Sequence, residues 1–171
     1  MDAYLAVASK REVREYEDRP LEHASERRII EAGRVAGSSK NRQGRRFVIV
    51  RDDGIREEVA SSVWNGDNVR GAAFVVAIVV GAKGPTSFDA GRAAQNMMLA
   101  AANEGIGSCP NGVAEAERLR HAVDHAEDES VATVLTFGYP EKPLRDPESQ
   151  SAQEWIDAAD RRSLREVVKE L

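Results

Sequence analysis

The run AAFVVAIVV at residues 72–80 constrains the fold more than any other stretch. It is nine residues long and uncharged, which suits a buried strand and falls well short of the ~20 apolar residues of a membrane span. The spacing therefore predicts a central strand here. "FVIVR" (47–51) and "SVATVLTFGYP" (130–140) read as two further strands, rich in β-branched residues.

Helical patterns alternate with these strands. Residues 2–9 lead into the charged stretch KREVREYEDRP, which Pro20 ends. In "LEHASERRIIEAGRVA" (21–36), Leu21, Ala24, Ile29, Ala32, Val35 and Ala36 recur at three- and four-residue steps, the mark of an amphipathic helix. "DDGIREEVASSVW" opens on acids that favour a helix start. "TSFDAGRAAQNMMLAAANEG" (86–105) is the longest and most apolar helix, with Thr86 or Ser87 as cap and Gly105 as stop. "IGSCPNGV" reads as irregular and "AEAERLRHAVDHA" as a surface helix. Two short helical pieces, "SAQEWIDAA" and "SLREVVKEL", follow a linker-like stretch at 141–150 and are too short for a domain of their own. The chain is expected to be a single α+β domain over 1–171, with 141–171 as a C-terminal arm.

The bulk numbers exclude several classes. The 171 residues are 42% hydrophobic and 31% charged, which fits one globular domain. A net charge of −5 argues against nucleic acid as a partner. A single cysteine, Cys109, excludes an internal disulfide framework and fits a reducing compartment. No basic segment precedes an apolar core at the N-terminus, so a cytoplasmic location is expected, without membrane attachment.

Four candidate motifs have plain explanations. "GIGSCPNG" (105–112) lacks the strand-first context of a dinucleotide fingerprint, and Pro110 stands at its third glycine position. A helix cap followed by a loop, or backbone donors facing a ring edge, remain equal readings. His121 and His125 lie four apart but lack a third ligand, so a solvated helix face is favoured and no metal is assigned. Cys109 has no histidine beside it to act as its base. "NRQGRR" has no aromatic residues for stacking on bases.

Two features ask for more. Residues 33–50, GRVAGSSKNRQGRRFVIV, place two serines, an asparagine, a glutamine and several bases between two core elements. Basic residues also gather near both ends of the chain, at Lys10, Arg11 and Arg14 and at Arg161 and Arg162. Guanidinium groups bind phosphate bidentately, so the two clusters could meet on one phosphate.

Taken in order, four segments resemble the nitroreductase family of FMN-dependent oxidoreductases. They are KREVREYEDRP, AGSSKNRQGRRFVIV, DAGRAAQNMMLAAANEGIGSCPNGV, and LTFGYPEK followed by DRRSLREVV. The resemblance implies a mostly antiparallel sheet flanked by helices, in a homodimer whose C-terminal arms are exchanged. It implies FMN at the subunit interface. Lys10, Arg11, Arg14, Arg161 and Arg162 would hold its phosphate. Ser38, Ser39, Asn41 and Gln43 would meet the ribityl chain and pyrimidine side. Pro110, Asn111 and Gly112 would lie against the isoalloxazine, with a backbone N–H near N5. NAD(P)H would reduce the flavin in a ping-pong cycle, with a nitroaromatic, quinone or similar electron-poor compound as oxidant. No side chain is expected to act as a catalytic residue.

The chain departs from the family pattern at several points. Glu12 replaces the serine between the opening bases, Gly37 replaces the proline before Ser-Ser, and Gly44-Arg45 replaces Pro-Trp. The link GAKGPTS is short, so no inserted helix covers the flavin. These departures support an alternative, a flavin- or deazaflavin-binding protein of the same fold with little turnover. A third possibility is an interaction domain without flavin.

Overall fold

The computed structural model describes residues 2–171. In chain order the elements are α1 (Ala3–Ser9), α2 (His23–Arg34), β1 (Arg45–Val50), α3 (Asp53–Ala60), α4 (Gly66–Arg70), β2 (Phe74–Gly81), α5 (Thr86–Ala102), β3 (Gly107–Asn111), α6 (Ala116–Ala122), β4 (Glu129–Gly138), α7 (Ala152–Asp157) and α8 (Leu164–Val167). Two compact units divide them. One comprises residues 11–144; the other joins the N-terminal segment to 145–171.

The larger unit is built on a four-stranded antiparallel sheet of order β1-β2-β4-β3. β2 is central, and Phe74 through Val80 are all buried. Successive side chains of a strand point to opposite faces, so a strand apolar at every position needs cover on both sides. On one face Phe74, Val76, Ile78 and Val80 pack with Ile29 of α2 and with Met97 and Ala101 of α5. On the other, Val75, Ala77 and Val79 pack with Val59, Val69 and Leu119 of α3, α4 and α6. The Phe74 and Phe137 rings lie 5.9 Å apart and tilted, joining β2 to β4 within the first core.

The sheet has one strand more than the periodicity suggests. Residues 107–111, expected to be irregular, form β3 by pairing from Gly107↔Gly138 to Asn111↔Val134. Their composition is poor for a strand, and tertiary pairing overrides it. Pro110 is tolerated because β3 is an edge strand. α4 was likewise not expected. α5 begins at Thr86 with Pro85 as its N-cap and no side-chain cap bond, so neither Thr86 nor Ser87 caps it. It buries Asp89, Ala90, Ala93, Ala94, Met97, Met98 and Ala101, and leaves Phe88, Arg92, Gln95 and Asn96 exposed. No helix among the described residues is long and apolar enough to cross a membrane.

In the smaller unit α1 packs against α7. Asp2 caps α1 by accepting from Tyr4 and Leu5 N–H. Ser151 with Glu154, and Ser163 with Glu166, form two capping boxes that start α7 and α8. Trp155 is buried, donates its indole N–H to Pro147 C=O at 3.0 Å, and lies under the Arg145 guanidinium.

Candidate functional site

The first basic segment is laid along the outer edge of β3. Val13 N–H donates to Ser108 C=O at 3.0 Å, and Glu17 N–H donates to Tyr139 C=O at 2.8 Å. Two glycines permit this approach. A Cβ on Gly107 would come within 2.7 Å of the Val13 side chain, and one on Gly138 within 2.8 Å of the Tyr16 ring. Tyr16 then fastens the segment: its hydroxyl donates to Val13 C=O at 2.7 Å and meets Thr136 Oγ1 at 3.0 Å. Burial pushes the Tyr16 phenol well above its ordinary range, against a smaller opposing effect of the Thr136 bond. Arg11 and Arg14, more than ninety positions before β3 along the chain, are thus delivered to its edge by Val13 and Tyr16. Arg14 is exposed and makes no ion pair among the described residues.

Beneath Cys109–Asn111 lies a buried polar network. The Asn111 side chain, 3% exposed, donates to Cys109 C=O at 3.2 Å, Val134 C=O at 3.1 Å and Thr136 Oγ1 at 3.3 Å. Asn68 of α4 donates to Asn111 Oδ1 at 2.9 Å. Buried polar groups that are fully partnered fix a unique geometry. Here they fix β3, so the Asn111 amide is committed to the sheet and the outward features are the Pro110 ring and the Gly112 backbone, both exposed. Cys109 is buried at the same place, with the Asn68 amide 3.7 Å from its sulfur.

The polar loop 37–44 is held separately. Three of its residues, Lys40, Asn41 and Gln43, have φ of 51°, 53° and 52°. Asparagine accepts the left-handed region readily, but lysine and glutamine do so at a cost of about 1 kcal/mol or more each. Surrounding bonds impose that conformation. Asp89, 8% exposed in the first turn of α5, accepts Ser39 N–H at 3.1 Å; its other oxygen is buried and accepts nothing among the described residues. Ser38 Oγ accepts Gln43 N–H at 2.9 Å, and Arg42 donates to Ser39 Oγ at 3.3 Å. Arg45 closes the base of the loop, its guanidinium donating to the carbonyls of Gly33 and Ala36 at the end of α2. This clamp stands where the resemblance expects a Pro-Trp pair, and it replaces ring stiffness with hydrogen bonds. The Asn41 and Gln43 side chains are exposed and bond to no protein group among the described residues.

The structure thus sets the segment that carries Arg11 and Arg14 against β3, with Val13 bonded to Ser108, two residues before Pro110. It sets Ser38, Ser39, Asn41 and Gln43 in a second group, bonded to α5 and not to the first group among the described residues. Lys10, Arg161 and Arg162 belong to the smaller unit. Arg161 and Arg162 are exposed and make no ion pair among the described residues. Sequence reading did not single out Tyr16, Asp89, Asn68 or Thr136 as supports. Only Tyr16 had a signal, an aromatic two residues after the last base.

No cluster of histidine, cysteine and acidic residues among the described residues has the arrangement of a metal site. His125 Nδ1 lies 2.9 Å from Ala126 C=O, and His121 is exposed beside Arg120.

Comparison with known proteins points to one family. A family model described as "Putative TM nitroreductase" matches residues 2–170. A "Putative NADH dehydrogenase/NAD(P)H nitroreductase" of Archaeoglobus fulgidus is 28% identical over 144 residues, 78% of this chain and 83% of its own. A solved structure described as a "putative nitroreductase in complex with fmn", from Desulfovibrio desulfuricans, superposes with a TM-score of 0.83 at 26% identity, over 100% of this chain and 98% of that one. The NADPH:FMN oxidoreductase of Vibrio harveyi, complexed with NAD+, shares the fold with a TM-score of 0.81 at 23% identity, over 96% of this chain and 75% of that one. With a family match that runs nearly from end to end, this chain belongs to the nitroreductase family.

Proposed function

We propose that the protein is an FMN-dependent oxidoreductase that takes hydride from NAD(P)H and passes electrons to a nitroaromatic, quinone or similar electron-poor acceptor. The observation that carries this reading is loop 37–44. Its backbone is held in costly left-handed conformations while Asn41 and Gln43 keep their amides uncommitted among the described residues. Such a loop is prepared for a polar ligand rather than for its own stability. Family membership, and the FMN bound by the Desulfovibrio relative, make FMN that ligand.

The residues present fit the group. Lys10, Arg11, Arg14, Arg161 and Arg162 would hold the phosphate, and arginine is suited to this by its bidentate geometry. Ser38, Ser39, Asn41 and Gln43 would meet the ribityl chain and pyrimidine edge. Pro110 and Gly112 would face the isoalloxazine directly, and Asn111 would act through its backbone, since its amide holds the sheet. FMN, when bound, supplies the hydride-accepting and electron-donating chemistry. The protein's own part is to bind it, orient it, and leave one ring face open to NAD(P)H and then to the acceptor, in ping-pong order.

As the family resemblance implies, two copies would complete each site, with 141–171 as an arm on the partner, in a cytoplasmic homodimer. Anaerobic titration of the FMN-loaded protein with NADH and with NADPH tests the reading. Bleaching of the flavin absorbance by one of them is expected. A yellow protein that neither nicotinamide bleaches would support the alternative, a flavin- or deazaflavin-binding protein with little turnover. A protein that takes up no FMN would overturn the reading.

A further inference from the structure

We infer that Trp64 forms one wall of the ring-binding site and stacks a planar, electron-poor acceptor, an inference that rests on Pro110–Gly112 facing the flavin. Trp64 is 80% exposed, yet its backbone is fixed. Its N–H donates to Gly112 C=O at 3.1 Å, and Ser62 C=O accepts from Ala114 and Glu115 N–H at 2.9 and 3.1 Å. Between them, buried Val63 pairs with Val113. Residues 62–64 are thus zipped onto the chain that leaves β3.

Exposed apolar residues are common and prove little by themselves. Phe88, Tyr4 and Leu164 are also well exposed. What sets Trp64 apart is its position. A Cβ on Gly112 would lie 3.0 Å from Trp64 Cδ1 and 3.6 Å from Nε1, so the indole edge rests directly on the bare Gly112 backbone. Its Nε1–H bonds to no protein group among the described residues. A rigidly carried, electron-rich ring beside the flavin-facing segment, with most of its surface open, is suited to offset stacking against an electron-deficient ring.

The probe is 4-nitrobenzoate, titrated into the FMN-loaded protein and followed by perturbation of the flavin's visible spectrum. Wild type, Trp64→Phe, Trp64→Leu and Trp64→Ala are compared, and FMN affinity is measured for each. Trp64→Ala and Trp64→Leu should weaken 4-nitrobenzoate binding roughly tenfold, and Trp64→Phe no more than about threefold. FMN affinity should stay within about threefold throughout. Unchanged 4-nitrobenzoate binding in Trp64→Leu, with FMN still bound, overturns the inference and leaves the flavin reading standing. Loss of FMN itself from the Leu and Ala variants, with unchanged melting, assigns the indole to the cofactor and also overturns the inference. A wild type that binds no FMN overturns both.

Discussion

The Asp89 carboxylate reaches fifty positions back along the chain to accept the N–H of Ser39. It thereby ties the start of the longest helix to the strained polar loop. Asp89→Ala removes the acceptor, and the loop should relax out of its left-handed residues. FMN affinity is expected to fall by about 1.5–3 kcal/mol, the scale of a hydrogen bond to a charged group. Asp89→Asn retains an acceptor oxygen and should recover part of the loss. Titration of FMN fluorescence checks both.

Arg14→Ala should weaken FMN binding by roughly 1.5–3 kcal/mol if it touches the phosphate. The same change should leave riboflavin binding nearly untouched, because riboflavin lacks the phosphate. Parallel titrations with FMN and riboflavin give the comparison. Equal losses for both ligands would remove Arg14 from the phosphate site.

Asn111 is a prediction about stability. Asn111→Ala strands the Asn68 amide and removes the Asn111 donor from the Val134 carbonyl, while the Cys109 carbonyl keeps its bond from Thr136 Oγ1. Each buried group left unpaired costs about 1–3 kcal/mol. A clear drop in the urea midpoint is expected, together with weaker FMN binding as β3 loosens.

Tyr16 gives a pH dependence. Its folded-state pKa is raised by burial above the ordinary 10.0. The unfolded chain therefore loses the proton first, and the stability that Tyr16 contributes is present below pH 10 and declines above it. Tyr16→Phe should flatten that alkaline decline. It should also cost about 1 kcal/mol at neutral pH through the lost bonds to Val13 and Thr136. Denaturant melts between about pH 8.5 and 11.5, an interval of about ±1.5 around the ordinary tyrosine value, test both.

If two copies share each flavin, dilution should release FMN in step with dissociation. Analytical ultracentrifugation at flavin-absorbing wavelengths should show FMN travelling with the dimer alone. A monomer that retains its flavin would contradict the shared site.

Much of this was legible in the sequence because the signals are local. The apolar run of β2, the 3.6-residue stripe of α2 and the small-residue stretch of α5 each announce their element without a partner. β3 did not, because Gly107, Ser108, Pro110 and Asn111 gain their extended form only from pairing with β4. The polar residues of loop 37–44 were recognisable by type, but not the supports beneath them. Asp89 was one acid among several in an apolar helix, and its role depends on a fold that brings α5 beneath Ser39. Arg45, a departure from the family's Pro-Trp pair, proves to be a clamp.

An unpaired strand at the rim of a sheet invites other polypeptides to lengthen it. Here Pro110 brings no backbone donor to the rim, and Val13 already engages the Ser108 carbonyl. The surface offered to a small molecule is thus the one denied to a growing aggregate. Replacing Pro110 by a residue that restores the donor would put solubility at risk along with ligand binding.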